Sequence, residues 1–121
     1  MLVDTSVWID YLRRGNAKLA QLLSDDQVLC HRFIVGELAC GWLKNRQTIL
    51  TFLSKLPQAT SAAHDEVLDL LQSRQLFAKG IGWIDAHLLA ATLLSHSRIW
   101  TTDRHLMKSA HDMNIAEEVT S

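Results

Sequence analysis

The chain has 121 residues, of which 48% are hydrophobic, with a formal net charge of -1 at pH 7. That length supports one folded core, so a single domain over 1–121 is expected. The near-neutral charge excludes a globally basic surface. No stretch approaches the ~20 apolar residues of a membrane helix, and two cysteines without C-x-x-C spacing exclude a disulfide framework.

Met1-Leu2-Val3 reads as a short buried strand. Asp4-Thr5-Ser6 then offers capping side chains to an amphipathic helix that runs to about Arg14 and stops at Gly15-Asn16. A short helix over Ala17 to Leu23 precedes a strand at Val28-Leu29-Cys30. Helices are expected from Ile34 to Leu43 and from about Gln47 to Leu56, where Pro57 breaks the pattern. Gln58-Ala59-Thr60 reads as a brief strand. His64 to Ala78 keeps a helical period, and Lys79 to Gly82 is a loop. A strongly apolar helix follows from about Trp83 to Ser95, then a strand at Arg98 to Thr101, a helix from Asp103 to Met113, and an edge strand from Ile115 to Val119. Short apolar strands alternating with helices predict an α/β fold with a mostly parallel sheet.

The opening residues carry no basic leader and no long apolar run, so a cytoplasmic protein with reduced cysteines is expected. None of the six histidines forms an H-E-x-x-H pair, which argues against a zinc site.

Of the 13 acids, four stand in unusual settings. Asp4 and Asp103 fall at the carboxyl ends of proposed strands, where parallel sheets gather functional groups. Asp85 lies in the first turn of a helix that is apolar almost all round. A carboxylate there costs several kcal/mol unless it is paired or bound. Glu37 flanks the stripe of Ile34, Leu38 and Trp42, on the side of Gly41. Each has a bland alternative: Asp4 as an N-cap, Asp85 as a dipole-favoured first-turn acid, Asp103 beside a Thr102 cap, Glu37 as a solvated helix residue. The others are ordinary surface acids; Asp10, for instance, can pair with Arg13 or Arg14 one turn on.

Brought together, four carboxylates repel unless a cation lies among them. Hard oxygen donors without organised His or Cys select Mg²⁺ or Mn²⁺. Such an ion would activate water against a phosphodiester, with hydroxyls of Thr5, Ser6, Thr101 and Thr102 available to orient the carboxylates. Arg13, Lys44, Arg46, Lys79 and Arg104 could frame the acids as a basic rim.

The segments VDTSVWIDYL, IVGELACG, GWIDAHLLAA and TTDRHL, in this order, resemble PIN-domain proteins, and more closely the VapC-type toxins of bacterial toxin–antitoxin pairs. The likeness covers essentially the whole chain and lies in the ordered set, since no single motif is distinctive. It implies a three-layer α/β/α sandwich with a mostly parallel central sheet of four to five short strands. It implies the acidic quartet Asp4, Glu37, Asp85 and Asp103 as catalytic and metal-binding residues, with Mg²⁺ or Mn²⁺ as cofactor. It further implies endonucleolytic RNA cleavage, homodimers, and inhibition by a cognate antitoxin whose C-terminal segment enters the active-site groove. For such an RNA the basic rim, Trp42 and the Lys79–Trp83 loop are the expected contacts, through backbone charge and base stacking. Two positions depart from the pattern: CHRFIVGEL lacks the proline that relatives often carry before the Glu helix, and the hydroxyl near the last acid is either Thr101 or Thr102.

Two rivals come from outside enzymology. A catalytically silent PIN-like binding module is opposed by the intact quartet. A phospho-acceptor signalling domain would want adjacent acids after the first strand and a lysine after a late one, whereas here the late strand ends in Thr-Thr-Asp.

Overall fold

The computed structural model describes residues 1–118. Among them the chain forms β1 (Leu2–Val3), α1 (Thr5–Arg14), α2 (Ala17–Ser24), α3 (Arg32–Cys40), α4 (Arg46–Lys55), α5 (His64–Ser73), α6 (Trp83–Leu94), β2 (Ile99–Trp100) and α7 (Arg104–Asp112). The fold is α/β, with β1 and β2 paired in parallel, Leu2 opposite Ile99 and Val3 opposite Trp100.

Two strands stand where four to five were expected. The other segments reach the sheet through single parallel bridges: Leu29 to Leu2, Gln58 to Cys30, and Ala116 to Ile99. The order across the ladder is therefore Gln58, Leu29–Cys30, β1, β2, Ala116. Each bridge is still hydrogen-bonded, as in Leu29 N–H to Met1 O at 2.7 Å and Glu117 N–H to Ile99 O at 2.8 Å. These segments turn away after one or two residues, too soon to sustain a ladder. The expected edge strand from Ile115 reduces to the Ala116 bridge, and Val119 lies outside the described residues.

Most helices keep their expected bounds, because caps and breakers fix them locally. Asn16 caps α2 by accepting from Leu19 N–H at 3.0 Å. Helix α3 begins earlier than expected, since His31 Nδ1 accepts from Phe33 N–H at 3.0 Å and serves as its cap. It also ends earlier, at Cys40, which leaves Trp42 beyond the helix and 86% exposed rather than on its apolar stripe. Helix α5 stops at Ser73, not Ala78, because Gln75 and Ala78 adopt positive φ.

The core lies between the ladder and its helices. Leu2, Val3, Ile99, Ile34, Leu88, Leu89 and Leu106 are buried in one cluster, each such side chain contributing about 1.5–3 kcal/mol. Helix α6 is its most buried helix, with Ala86 through Thr92 all buried. It packs against α5 and β2, while α3 packs against α1 and α4. The carboxyl ends of β1 and β2 thus open beside the N-terminus of α1, and the fold delivers Asp4 and Thr101 to one place.

Candidate active site

Asp4 follows β1 directly, and its N–H extends the ladder by bonding to Trp100 O at 2.9 Å. It occupies the N-cap position of α1, but its side chain makes no capping bond. Instead Oδ2 accepts from Thr101 Oγ1 at 2.7 Å and from Ser6 Oγ at 2.9 Å. With Asp4 at 6% exposure and Thr101 at 1%, these bonds replace the water that burial removes.

Thr101, at the end of β2, also accepts from Asp103 N–H at 3.0 Å. One hydroxyl therefore joins two of the acids. The hydroxyl facing Asp4 belongs to Thr101; Thr102 contributes its backbone N–H, which donates to Ser6 Oγ at 3.1 Å. Asp103 caps α7 by accepting from Leu106 N–H at 2.9 Å through Oδ1, the capping role that sequence had offered to Thr102.

Glu37, on α3, accepts from Thr5 Oγ1 at 2.8 Å, which ties α3 to the start of α1. Asp85, in the first turn of α6, accepts from Gly82 N–H at 3.1 Å. A common pattern emerges. Each of the four acids has one carboxylate oxygen held by a neighbour. The opposite oxygen of each receives no hydrogen bond among the described residues.

Two of the four, Glu37 and Asp85, sense the charge of the others. The Glu37 carboxyl is pushed above its ordinary pKa by partial burial, reinforced by Asp4 and Asp85 and opposed by the Thr5 hydrogen bond. Asp85 is raised by partial burial, with Asp4 and Asp103 adding and the Gly82 N–H opposing. So strand end, α3, α6 and the β2–α7 junction bring the expected quartet into one electrostatic neighbourhood. Among the described residues, no three His, Cys, Asp or Glu side chains close into a tight chelating group. Mutual repulsion explains such spacing. Separate oxygens held at a distance suit a hard cation that keeps several of its waters, so the donor set fits Mg²⁺ or Mn²⁺.

The expected rim divides. Arg13 and Lys44 line a groove of about 610 Å³ that also includes Glu37, walled by Ile9, Leu38 and Trp42. Arg46 donates to Gly41 O at 3.1 Å and to Ala39 O, so its guanidinium satisfies the end of α3 instead of standing free. Lys79 and Arg104 are exposed but line no part of that groove.

A row of rings joins α3 and α6, of which the sequence had offered only Trp83, in the Lys79–Trp83 loop, as a contact. His31 packs on Phe33 with centroids 5.1 Å apart, Phe33 on His87 at 4.8 Å, His87 on Trp83 at 4.8 Å, and Trp83 on His64 at 4.9 Å. Burial, aided by the Arg32 and His87 charges, lowers the His31 pKa to about 4. Burial also lowers His87, with Arg32 and His64 adding. The available signal was the four-residue spacing of Trp83 and His87, which puts both on one face of α6.

The PIN domain sequence profile matches residues 1–111. The chain is 42% identical, over 123 aligned positions and 99% of each protein, to Ribonuclease VapC32 of Mycobacterium tuberculosis strain CDC 1551 / Oshkosh. The same identity and coverage hold for Ribonuclease VapC32 of strain ATCC 25618 / H37Rv. A chain with this match, with Asp4 and Asp103 following its two parallel strands and Glu37 and Asp85 on α3 and α6, belongs to the PIN-domain family, among the VapC-type proteins.

Proposed function

We propose that the protein is an endoribonuclease, the toxin of a toxin–antitoxin pair, with Asp4, Glu37, Asp85 and Asp103 as its metal-binding and catalytic residues. The observation that carries this reading is the shared pattern of the acids, each with one oxygen tethered and the other uncommitted. The relatives bear the name ribonuclease, and the PIN family brings with it the α/β/α layering about a parallel sheet.

The free oxygens of the quartet would hold Mg²⁺ or Mn²⁺. When bound, such an ion lowers the pKa of an attacking water and neutralises charge on a phosphate. Thr101 and Ser6 fix the Asp4 carboxylate in direction, because both donate to the same oxygen. Thr5 does the same for Glu37. In the metal-free protein partial burial and neighbouring carboxylates raise the proton affinities of Glu37 and Asp85, a cost that a bound cation would offset. Thr101 links Asp4 and Asp103 so that they move as a unit.

In this reading the groove beside Glu37, apolar along one wall and edged by Arg13 and Lys44, receives the C-terminal segment of the cognate antitoxin. The active species is a homodimer acting in the cytoplasm; no helix among the described residues is long and apolar enough to cross a membrane.

The test is to incubate purified, antitoxin-free protein with total cellular RNA. Discrete fragments with Mg²⁺ or Mn²⁺ and none with EDTA are expected. No cleavage with either metal, from protein shown to be folded, would favour a catalytically silent binding module.

A further inference from the structure

We propose that Trp83, seated on His87 and flanked by His64, is a stacking platform for a nucleobase of single-stranded RNA next to the acidic site. This rests on the ribonuclease reading above and assigns to it a base-contacting residue.

Trp83 is the first residue of α6, two positions before Asp85, and is 39% exposed despite its size. Two imidazoles pack against it. His87, 5% exposed, meets it at 82°, and His64 meets it at 51°. Neither neighbour lies parallel to the indole, so no described ring stacks face to face upon it. With 39% of its surface exposed, part of this large ring is accessible to solvent, and every base can use an aromatic surface.

The same buried imidazole also holds Phe33, at 74°, and Phe33 lies one turn before Glu37 on α3. The ring row thus spans the two helices that carry Glu37 and Asp85. Arg32 sets its guanidinium 5.3 Å from the centre of the Phe33 ring. It takes part in no ion pair among the described residues. The patch therefore joins accessible aromatic surface to an uncompensated cation, beside carboxylates suited to phosphodiester cleavage. That combination fits a base and its backbone phosphate better than an apolar peptide, which has no use for the cation.

The experiment is equilibrium binding, in EDTA, of two fluorescein-labelled 12-nucleotide strands with the same backbone charge: an adenine homopolymer and a fully abasic strand. Wild type should prefer adenine by about 5- to 150-fold, the range of one lost stacking contact. Trp83→Ala should lose most of that preference while binding the abasic strand as before. Trp83→Phe, which keeps a ring, should retain much of it and guards against a trivial folding defect. Equal binding of the two strands by wild type, or an unchanged preference in folded Trp83→Ala, would overturn the platform. So would loss of the preference in Trp42→Ala alone, which would put the base in the groove beside Glu37. Cleavage with Mg²⁺ or Mn²⁺ is scored separately. Cleavage without adenine preference removes the platform and leaves the nuclease, whereas preference without cleavage does the reverse.

Discussion

The Thr101 hydroxyl donates to Asp4 Oδ2 at 2.7 Å across 97 positions of sequence, and accepts from the Asp103 N–H at 3.0 Å. Two strands that pair for only two residues are thereby locked at their carboxyl ends by a buried side chain. The local cost of crowding acids is offset by hydroxyls aimed at one of them.

Thr101→Val keeps the shape and deletes both bonds. It should destabilise the protein by about 1–3 kcal/mol, the cost of leaving buried polar groups unpaired, and slow RNA cleavage by about 10-fold or more. Thr102→Val should do neither, since only its backbone N–H is engaged. Denaturant melts and cleavage rates of the two variants check this; equal effects would contradict the assignment.

Asp85 has a raised pKa in the fold, so the folded state favours its protonated form. Metal-free stability therefore falls as pH rises from the ordinary value of 3.8 through the raised folded value, and stays lowered above it. In EDTA at neutral pH, Asp85→Asn should melt at a higher temperature than wild type, because its amide can still accept from Gly82 N–H. The gap should close on acidification to about pH 4. A gap that is independent of pH would mean that Asp85 charge is not the cause.

His31 gives the opposite slope. Its pKa falls from 6.5 unfolded to about 4 in the fold, so the unfolded chain takes up a proton first as pH drops. Stability contributed by neutral His31 is complete above pH 6.5 and is lost between there and about pH 4, by up to about 3 kcal/mol. His31→Asn keeps an acceptor for Phe33 N–H and should flatten this limb in melts taken across the interval. An unchanged limb would place the titration elsewhere.

Arg46 and Lys44 separate structure from binding. Arg46→Ala frees the carbonyls of Ala39 and Gly41 and should cost about 1 kcal/mol, with little change in how RNA affinity depends on salt. Lys44→Ala should leave stability alone and reduce the log–log salt slope by about 0.7, the value for one single-strand phosphate contact. The reverse pattern would restore Arg46 to the rim.

Much of this was legible from the chain itself. Gly15-Asn16, Pro57 and the Lys79–Gly82 loop punctuate the helices, so most boundaries follow from local chemistry. Asp4 and Asp103 declared themselves by following apolar strand-like runs, and Asp85 by its place in an apolar helix. What was not legible depends on tertiary geometry. An apolar tripeptide such as Val28-Leu29-Cys30 has the composition of a strand, whether it makes a ladder or one bridge. Adjacent threonines differ only in which one the strand end turns inward, and it is Thr101. Arg46 looks like any surface cation until α3 ends at Cys40 and presents its carbonyls. The positive φ of Gln75 and Ala78, which shortens α5, has no residue-type signal, since neither is glycine or asparagine.

The most direct measurement is the rate at which purified protein cuts one mapped RNA phosphodiester with Mn²⁺, compared with folded Asp85→Asn and Asp4→Asn. If the quartet is the site, each variant should lose at least about 100-fold in rate while retaining a cooperative melt, and EDTA should abolish the wild-type reaction. Cleavage at the wild-type rate by either folded variant would contradict the assignment of these acids to the chemistry.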